Sequence, residues 1–423
     1  MVTTRVAGLR PLPYLFCLFL LLCAACSRTP QASDCDDPLG CVELAPGDPL
    51  KLGIIQSLSG SVAALGAEQV RGFELALERR GGKLLGREVV TQTEDTGCQP
   101  EGGANAALKI AADPKVLAIF GTTCSSDAAT AAEVMSASGL TMISGNNSAP
   151  FLTKLNGQRA PKWQEGYFRT APNEEYSGPA AAYYAYKKLG IRKAATINDG
   201  DIYTRGLTEG FAKKFSELGG KIVVSATVNK QDTNMEPVLT AVKNAHAELV
   251  FFPLFQPEGN HVLLQARRDK SLVGTVFMSD GALIEQGFID AVGRNAVGMH
   301  FVGPTPPAKS PALDKLIAQY KTRFKADPTT YYYASAFDAA ELLFAAIEKA
   351  AVPLPGGGVR IGRKALRNTL YATRDHPGMT GTLSCNEYGD CAAPRFNVLR
   401  LDDPAAGVDG LKANVQYTYA PKP

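Results

Sequence analysis

Residues 116–135, VLAIFGTTCSSDAATAAEVM, join an apolar strand to a helix through a short run of hydroxyl residues. The apolar run ends at Gly121, and an alanine-rich helical pattern begins after Cys124. Backbone N–H groups at a helix N-terminus are unpaired, and together with the helix dipole they favour negative charge. The stretch therefore predicts a strand–helix unit whose turn, around Ser125, binds an anion. A plain helix N-cap is the alternative.

The same alternation of strand and helix continues on both sides of this unit. Strand patterns separated by helical patterns occur at 51–56, 87–95, 116–121, 140–145, 193–199, 221–228, 248–255 and 274–280. Such alternation is typical of right-handed βαβ units with a parallel sheet covered by helices. Two series, separated near residue 171, predict an α/β fold with two similar lobes. The last part reads as mostly helical, followed by a hairpin over 381–401.

The composition is that of an ordinary globular protein. The chain has 423 residues, of which 45% are hydrophobic and 20% charged, and its formal net charge is +3. The length favours two lobes over one. So small a net charge gives no electrostatic reason to expect a nucleic-acid partner.

The first residues have the pattern of an export signal. Arg5 and Arg10 precede an uncharged run that is short for a membrane span and stops at Ala24-Ala25-Cys26. This ending resembles a bacterial lipobox, which implies a signal peptide over 1–25 and a lipid on Cys26. Residues 26–48 are polar and proline-rich, and we expect them to be a tether.

The cysteine count agrees with export. Nine cysteines are present, and six remain once Cys17, Cys23 and Cys26 are assigned to the signal and the lipid. An even set in an exported protein favours disulfides. Their spacing suggests two local loops and one longer pair, formed by Cys35, Cys41, Cys98, Cys124, Cys385 and Cys391.

A second polar turn, GNNSAP at 145–150, ends the next strand. Ligands of open parallel sheets lie beyond the carboxyl ends of the strands. Adjacent strands would bring Asn146, Asn147 and Ser148 beside Ser125, so the two turns together predict a carboxylate clamp. Two unrelated solvated loops are the alternative.

Strand ends of the second series carry a different chemistry. Asp280 ends one strand, and turns containing Tyr203 and Phe255 end two others. If the lobes face each other, an acid and two aromatic rings meet the clamp in one cleft. That set suits an amino acid, whose ammonium group Asp280 would hold. Asp280 as a helix N-cap is the alternative.

The sequence lacks the motifs that would indicate catalysis, nucleotide binding or metal binding. The sequence has no GxSxG elbow, HExxH pair or GxxxxGK[ST] loop, and no GxGxxG follows the first strand. The four histidines lack ligand spacing with any cysteine pair. We therefore expect no metal, no cofactor and no enzyme activity. An exported hydrolase is the weakest of the hypotheses.

A family resemblance rests on several segments taken in order: KLGIIQSLSGSVAALGAEQVRGFELAL, EDTGC, IFGTTCSSDAATAAEVMSASGLTMISGNNSAP, FRTAPNEEYSG and INDGDIYTRGL. The chain resembles the leucine/isoleucine/valine-binding proteins of bacterial ABC importers over nearly all of residues 50–400. This implies two hinged, Rossmann-like lobes of the type I periplasmic binding protein fold. The lobes would span 49–171 plus 305–377 and 172–304 plus 378–423, with crossings near 171, 304 and 377.

The resemblance also implies roles for single residues. Ser125 matches the family serine that contacts the ligand carboxylate, assisted by Asn146 and Ser148. Tyr203 matches a cleft tyrosine, and Asp280 stands where a glutamate usually holds the ammonium group. A family disulfide matches Cys98 with Cys124.

Three positions depart from the family pattern. Leu65 and Phe255 stand where tyrosines are expected, and Asn146 replaces a small apolar residue. These changes alter the side-chain pocket, so they favour an amino acid or similar small zwitterion over leucine in particular.

The leading hypothesis is therefore an exported, lipid-anchored, monomeric solute-binding protein. It would deliver an amino acid to an ABC permease and its ATPases. The alternatives are a ligand sensor of the same fold, or a binder of an amide, a urea or an aromatic acid.

Overall fold

The computed structural model describes residues 35–420. The export signal over 1–25 and the lipidated Cys26 lie outside these residues. Twelve α-helices are present in the described chain: α1 (Ala63–Arg79), α2 (Pro100–Ala111), α3 (Ser125–Ala137), α4 (Ser177–Lys187), α5 (Ile202–Glu217), α6 (Glu236–Asn244), α7 (Glu258–Arg268), α8 (Gln286–Val292), α9 (Pro311–Phe324), α10 (Tyr332–Ala350), α11 (Arg363–Tyr371) and α12 (Gly407–Ala413).

The same residues form twenty β-strands: β1 (Cys41–Leu44), β2 (Leu50–Gln56), β3 (Lys83–Leu84), β4 (Arg87–Asp95), β5 (Val116–Gly121), β6 (Thr141–Ser144), β7 (Lys154–Leu155), β8 (Gln158–Arg159), β9 (Tyr167–Arg169), β10 (Lys193–Asn198), β11 (Lys221–Thr227), β12 (Leu249–Phe251), β13 (Val276–Asp280), β14 (His300–Pro304), β15 (Ala351–Pro353), β16 (Val359–Gly362), β17 (His376–Gly378), β18 (Gly381–Leu383), β19 (Phe396–Arg400) and β20 (Val415–Tyr419).

The first large sheet has the order β3-β4-β2-β5-β6-β9. Its strands are parallel except β3, which pairs antiparallel with β4. The apolar side chains of β2 and β5 are buried against α1, α9, α10 and α11, with Phe73, Phe120 and Phe344 among them. All four strands predicted for the first series lie in this sheet.

The second large sheet has the order β11-β10-β12-β13-β14-β19-β20. Strands β10 to β14 are parallel to their neighbours, and β19 and β20 add antiparallel pairs at one edge. The predicted fold class, α/β with two sheets flanked by helices, is confirmed. The antiparallel additions were not anticipated. The lobe boundaries drawn from the sequence stay a prediction.

The hairpin predicted over 381–401 is confirmed at its turn, where Ser384 N donates to Cys391 O and Asn386 N donates to Asp390 O, each at 2.9 Å, but its strands do not pair with each other. Strand β18 pairs with β17, and β19 pairs with β14 and β20. The carboxylate of Asp338, on α10, accepts hydrogen bonds from the backbone N–H groups of Met379 and Thr380 and so fixes the β17–β18 turn. Phe396 and Val398 are buried in the core of the second sheet, so β19 pairs within that sheet and not with β18.

The tether predicted for 26–48 is wrong for its second half. Strand β1 pairs antiparallel with β16, and Val42 and Leu44 are buried in the core of the first sheet. A disulfide joins Cys35 to Cys41. Asp37 accepts hydrogen bonds from the backbone N–H groups of the first turn of α11. A strand of four residues gives too short an alternation to be recognised among polar neighbours.

No helix between residues 35 and 420 is both long enough and apolar enough to cross a bilayer.

Candidate functional site

A cavity of about 30 Å³ lies where the carboxyl ends of the two sheets meet. It is lined by Leu65, Thr123, Cys124, Ser125, Asn146, Ser148, Tyr203, Phe255, Gly281, Ala282, Thr330 and Tyr332. The structure thus brings six of the seven predicted site residues to one place. The seventh, Asp280, is buried and is hydrogen-bonded to Tyr203.

The first polar turn leaves the N-terminus of α3 without a side-chain cap. The N-cap residue is Cys124, whose side chain is held in a disulfide with Cys98 and makes no cap. Ser125 is therefore the first residue of the helix, not its cap. Its hydroxyl oxygen accepts a hydrogen bond from Ala149 N at 3.3 Å, which leaves its proton free to be donated. An uncapped helix start and a free hydroxyl donor suit an anion.

The second polar turn is tied to the first by its amide side chains. Asn146 Nδ2 donates to the carbonyl oxygen of Thr123 at 2.8 Å, and Asn147 Nδ2 donates to that of Cys124 at 2.9 Å. Asn147 therefore belongs to the scaffold, whereas Ser148 lines the cavity. These bonds fix the spacing between the two turns.

Arg169, at the end of β9, holds the second turn from behind. Its side chain is fully buried and donates to the carbonyl oxygen of Ala149 and to Asp390 Oδ1, each at 2.7 Å. Removal of the Asp390 carboxylate would leave the buried guanidinium group without its counter-charge, which costs more than an ordinary hydrogen bond. Arg169 therefore positions the clamp without lining it.

A buried carboxylate, Asp127, lies in the first turn of α3. It accepts hydrogen bonds from the hydroxyl groups of Thr96, at 2.5 Å, and Thr122, at 2.7 Å. Burial raises the pKa of Asp127 to about 7. Because Thr96 follows β4 and Thr122 follows β5, this network joins two strand ends beneath Ser125.

The opposite wall of the site is acidic. The hydroxyl group of Tyr203 donates to Asp280 Oδ2, which also accepts from Ala282 N at 3.4 Å. Asp280 Oδ1 is buried and accepts no hydrogen bond within the described chain. The N-cap alternative for Asp280 is therefore confirmed for one carboxylate oxygen, Oδ2, while Oδ1 has no partner among residues 35–420. Burial raises the pKa of this carboxyl group.

A second acid, Glu174, was missed by the sequence analysis. It is buried beside the second turn, and its backbone N–H donates to Ser148 O at 3.0 Å. Neither carboxylate oxygen accepts a hydrogen bond of normal geometry, although the hydroxyl groups of Ser148 and Tyr203 are close enough to favour its charged form. Burial, and then the nearby Asp280, raise its pKa. Because Glu174 follows β9, the strand-end rule could have found it.

Apolar and aromatic side chains form the remaining wall. Leu65 belongs to a small buried cluster with the Cys98–Cys124 disulfide, and Phe255 and Tyr332 pack against that cluster. The rings of Tyr203 and Phe255 lie 5.5 Å apart. Thr330 and Tyr332 were also missed, because they lie just before and at the start of α10, more than 150 residues along the chain from Ser125. Only the tertiary fold places them here.

The arrangement combines donors on one side with acceptors on the other. The turns of α3 and β6 offer hydroxyl and helix N–H donors, and Asp280 and Glu174 offer carboxylate oxygens. Among residues 35–420, no group of three or more His, Cys, Asp and Glu residues is placed to hold a metal ion. These groups are chemically complementary to a small molecule that carries an anionic and a cationic group.

Comparison with known proteins bears on most of the chain. A family model described as periplasmic binding protein matches residues 49–394. The Leu/Ile/Val-binding protein homolog 3 of Brucella melitensis is 27% identical over 356 residues, which cover 84% of this chain and 92% of that protein.

Solved structures show the same fold. A leucine binding protein from Thermotoga maritima superposes with a TM-score of 0.76 at 23% identity, covering 88% of this chain and 99% of that one. A solute binding protein of an ABC transporter from Rhodopseudomonas palustris, in complex with p-hydroxybenzoic acid, gives a TM-score of 0.74 at 20% identity, covering 89% and 98% of the two chains.

Proposed function

The chain belongs to the periplasmic binding protein family, and from that premise we propose that it is an exported solute-binding protein that captures an amino acid or similar small zwitterion for an ABC importer. The observation that carries the proposal is the meeting of two chemistries at one cavity. Ser125 and Ser148 lie on one side of it and Tyr203, bonded to Asp280, on the other. A catalytic role is not part of the proposal.

The ligand's amino group is inferred from the unpaired oxygens. Asp280 Oδ1 and both oxygens of Glu174 are buried without normal hydrogen bonds, and an unpaired buried acceptor costs about 1–3 kcal/mol. An ammonium group has three donors and a positive charge, so it would satisfy these atoms and offset their repulsion. The ligand's carboxylate would then accept from Ser125, Ser148 and the first N–H groups of α3.

Capture requires the cleft to widen. A cavity of about 30 Å³ holds one or two water molecules, less than an amino acid needs. The residues that line it follow strands of both sheets, so moving the sheets apart would open it. A ligand that contacts both sides favours the closed arrangement through those contacts. We propose that the closed form is what the permease and its ATPases recognise.

An aromatic acid is the second candidate ligand. The rings of Tyr203, Phe255 and Tyr332 at the cavity favour it, and the structural neighbour from Rhodopseudomonas palustris was solved with p-hydroxybenzoic acid. The buried carboxylates oppose it, since an aromatic acid brings a second negative charge and no cation. We therefore rank it below an amino acid.

A ligand screen tests the proposal. Mature protein purified without denaturation would be analysed by mass spectrometry for a co-purifying metabolite, and its thermal stability measured with the twenty amino acids and with hydroxybenzoates. We expect an amino acid to give the largest stabilisation. Stabilisation by hydroxybenzoates alone would favour the second candidate, and no stabilisation by either set would contradict the proposal.

Location is a further part of the proposal. We propose that the mature chain begins at a lipidated Cys26, is anchored to a membrane by that lipid and acts as a monomer. In cells, the wild-type protein should sediment with membranes and a Cys26→Ala variant should not. Equal membrane association of the two proteins would contradict a lipid anchor on Cys26.

A further inference from the structure

A second, larger cavity of about 740 Å³ lies beside the first. Its walls come from the segments that connect the two sheets, at 170–172, 304–310, 378–383 and 392–395. Gly281, Thr330 and Tyr332 line both cavities and so separate them. The volume is within the range of small-molecule sites, whereas the first cavity is far smaller.

The walls of this cavity, which we call the hinge cavity, are mainly apolar. Pro304, Pro306 and Pro307 form one side, and Met379 and Tyr331 contribute others. Proline rings, thioether and aromatic side chains suit an apolar ligand body. Threonine hydroxyl groups supply the polar contacts, from Thr305, Thr380 and Thr382 among others.

The charges at the hinge cavity are opposite to those of the first cavity. None of the residues lining it, all within the described chain, is acidic, and the only cation among them is Arg395. The exposed side chain of Arg395 makes no hydrogen bond or ion pair with residues 35–420. Behind the wall, Lys412 Nζ lies 3.9 Å from the centre of the Tyr331 ring.

Three acids lie behind the walls: Asp409, near Tyr331 and Lys412, and Asp338 and Glu68, which are hydrogen-bonded to wall residues. Asp338 accepts from Thr380 Oγ1 at 2.5 Å and from two backbone N–H groups. Glu68 Oε1 accepts from Thr329 Oγ1 at 2.7 Å, and its other oxygen accepts from Thr330 Oγ1. These hydrogen bonds hold both carboxylates in the wall, and Arg395 is the only charged side chain among the residues that line the cavity.

We propose that the hinge cavity is a second binding site, which takes an apolar molecule carrying a single carboxylate. Its acid group pairs with Arg395, and its apolar body packs against Tyr331, Met379 and the prolines. The occupant contacts all the segments that connect the sheets, so it alters the balance between the open and closed arrangements. The inference does not depend on which ligand the first cavity takes.

Octanoate and its uncharged analogue octanamide are suitable probes, with binding to the mature protein measured by calorimetry. We expect octanoate to bind about two- to fivefold more tightly than octanamide, the range expected for an exposed ion pair. Arg395→Gln should remove that difference. The matched control, Arg294→Gln, changes an exposed arginine that does not line the hinge cavity, and it should keep the difference between octanoate and octanamide.

Location is tested by filling the cavity. Ala393 and Thr382 are exposed residues on its wall, so Ala393→Trp, or Thr382→Trp if the first variant does not fold, should abolish octanoate binding. Ser125→Ala should leave octanoate binding unchanged. The proposal is overturned if octanoate does not bind, if Ser125→Ala rather than the Trp variants removes binding, or if Arg395→Gln behaves like Arg294→Gln. None of these results depends on the amino-acid screen.

Discussion

The hydroxyl group of Tyr203, at the start of α5, donates a hydrogen bond to Asp280 Oδ2, at the end of β13. Asp201, the N-cap of α5, accepts a hydrogen bond from Tyr203 N at 2.9 Å and so fixes the backbone that carries the Tyr203 ring. The bond orients the aspartate so that one oxygen is hydrogen-bonded and the other, Oδ1, has no partner among residues 35–420. The acidic wall is thus set by the ends of two strands of one sheet, β10 and β13, which are separated by β12.

Tyr203→Phe keeps the ring and removes this donor. We expect affinity for an amino acid to fall by about 0.5–1.5 kcal/mol, because Asp280 loses a hydrogen bond that orients it. Calorimetric titration measures the change. Tyr183→Phe is the control, since that ring stacks on Tyr417 away from the cavity. If both changes lowered the affinity equally, Tyr203 would have no specific role in ligand binding.

Ser125→Ala tests the carboxylate side. We expect affinity to fall by about 1–3 kcal/mol, because the ligand carboxylate loses a donor in a buried site. Ser126→Ala is a close control: its hydroxyl group is buried, has no partner among residues 35–420, and does not line the cavity. A loss with Ser126→Ala as large as that with Ser125→Ala would mean that the helix start, not the hydroxyl group, is being perturbed.

The acids give the ligand-free protein a pH-dependent stability. Burial raises the pKa of Glu174, of Asp280 and of Asp127, the last to about 7. The folded state therefore holds more protons than the unfolded state, and the free energy of unfolding should fall as pH rises from about 5 to about 8. Urea unfolding at several pH values should show a shallower fall for Glu174→Gln.

Glu101→Gln, at an exposed position on α2, is the control for that series and should keep the wild-type slope. A wild-type free energy of unfolding that rises through this pH range would contradict the assignment of Glu174 and Asp280 as buried, unpaired acids.

The strand-end rule explains what the sequence could predict. Ser125, Ser148, Tyr203 and Asp280 each follow or end a strand whose apolar run is plain in the sequence. The strand-end rule places Ser125 and Ser148 at the carboxyl edge of the first sheet, and Tyr203 and Asp280 at that of the second. Glu174 follows a strand of only three residues, β9, and its role was not recognised.

Other features depend on contacts far apart in the sequence. Tyr332 reaches the cavity because α10 packs on α1, a contact that local patterns do not encode. The pairing of β19 with β14 and β20 was missed for the same reason. The short strand β1 was hidden because only Val42 and Leu44 mark its buried face.

Loss of each disulfide should have different effects on the free energy of unfolding and on ligand affinity. Cys98 and Cys124 are 26 residues apart, and replacing both by serine should lower the free energy of unfolding by about 2–4 kcal/mol. Because Cys124 is the N-cap residue of α3, ligand affinity should fall as well. Urea unfolding and calorimetry measure the two effects.

The Cys35–Cys41 pair is the matched comparison. Its sequence separation is 6, so its loss should cost less stability, and β1 lies away from the cavity, so affinity should not change. If the double variant at Cys98 and Cys124 binds as tightly as the wild type, the disulfide does not position the clamp.

Recognition of both ends of a zwitterion is the central claim, and one calorimetric comparison tests it most directly. The amino acid that stabilises the protein best would be titrated beside two analogues, one lacking the amino group and one lacking the carboxylate. We predict that each analogue binds at least about tenfold more weakly, and that Asp280→Asn narrows the gap only for the analogue without the amino group. An analogue without the amino group that binds as tightly as the amino acid would contradict the account.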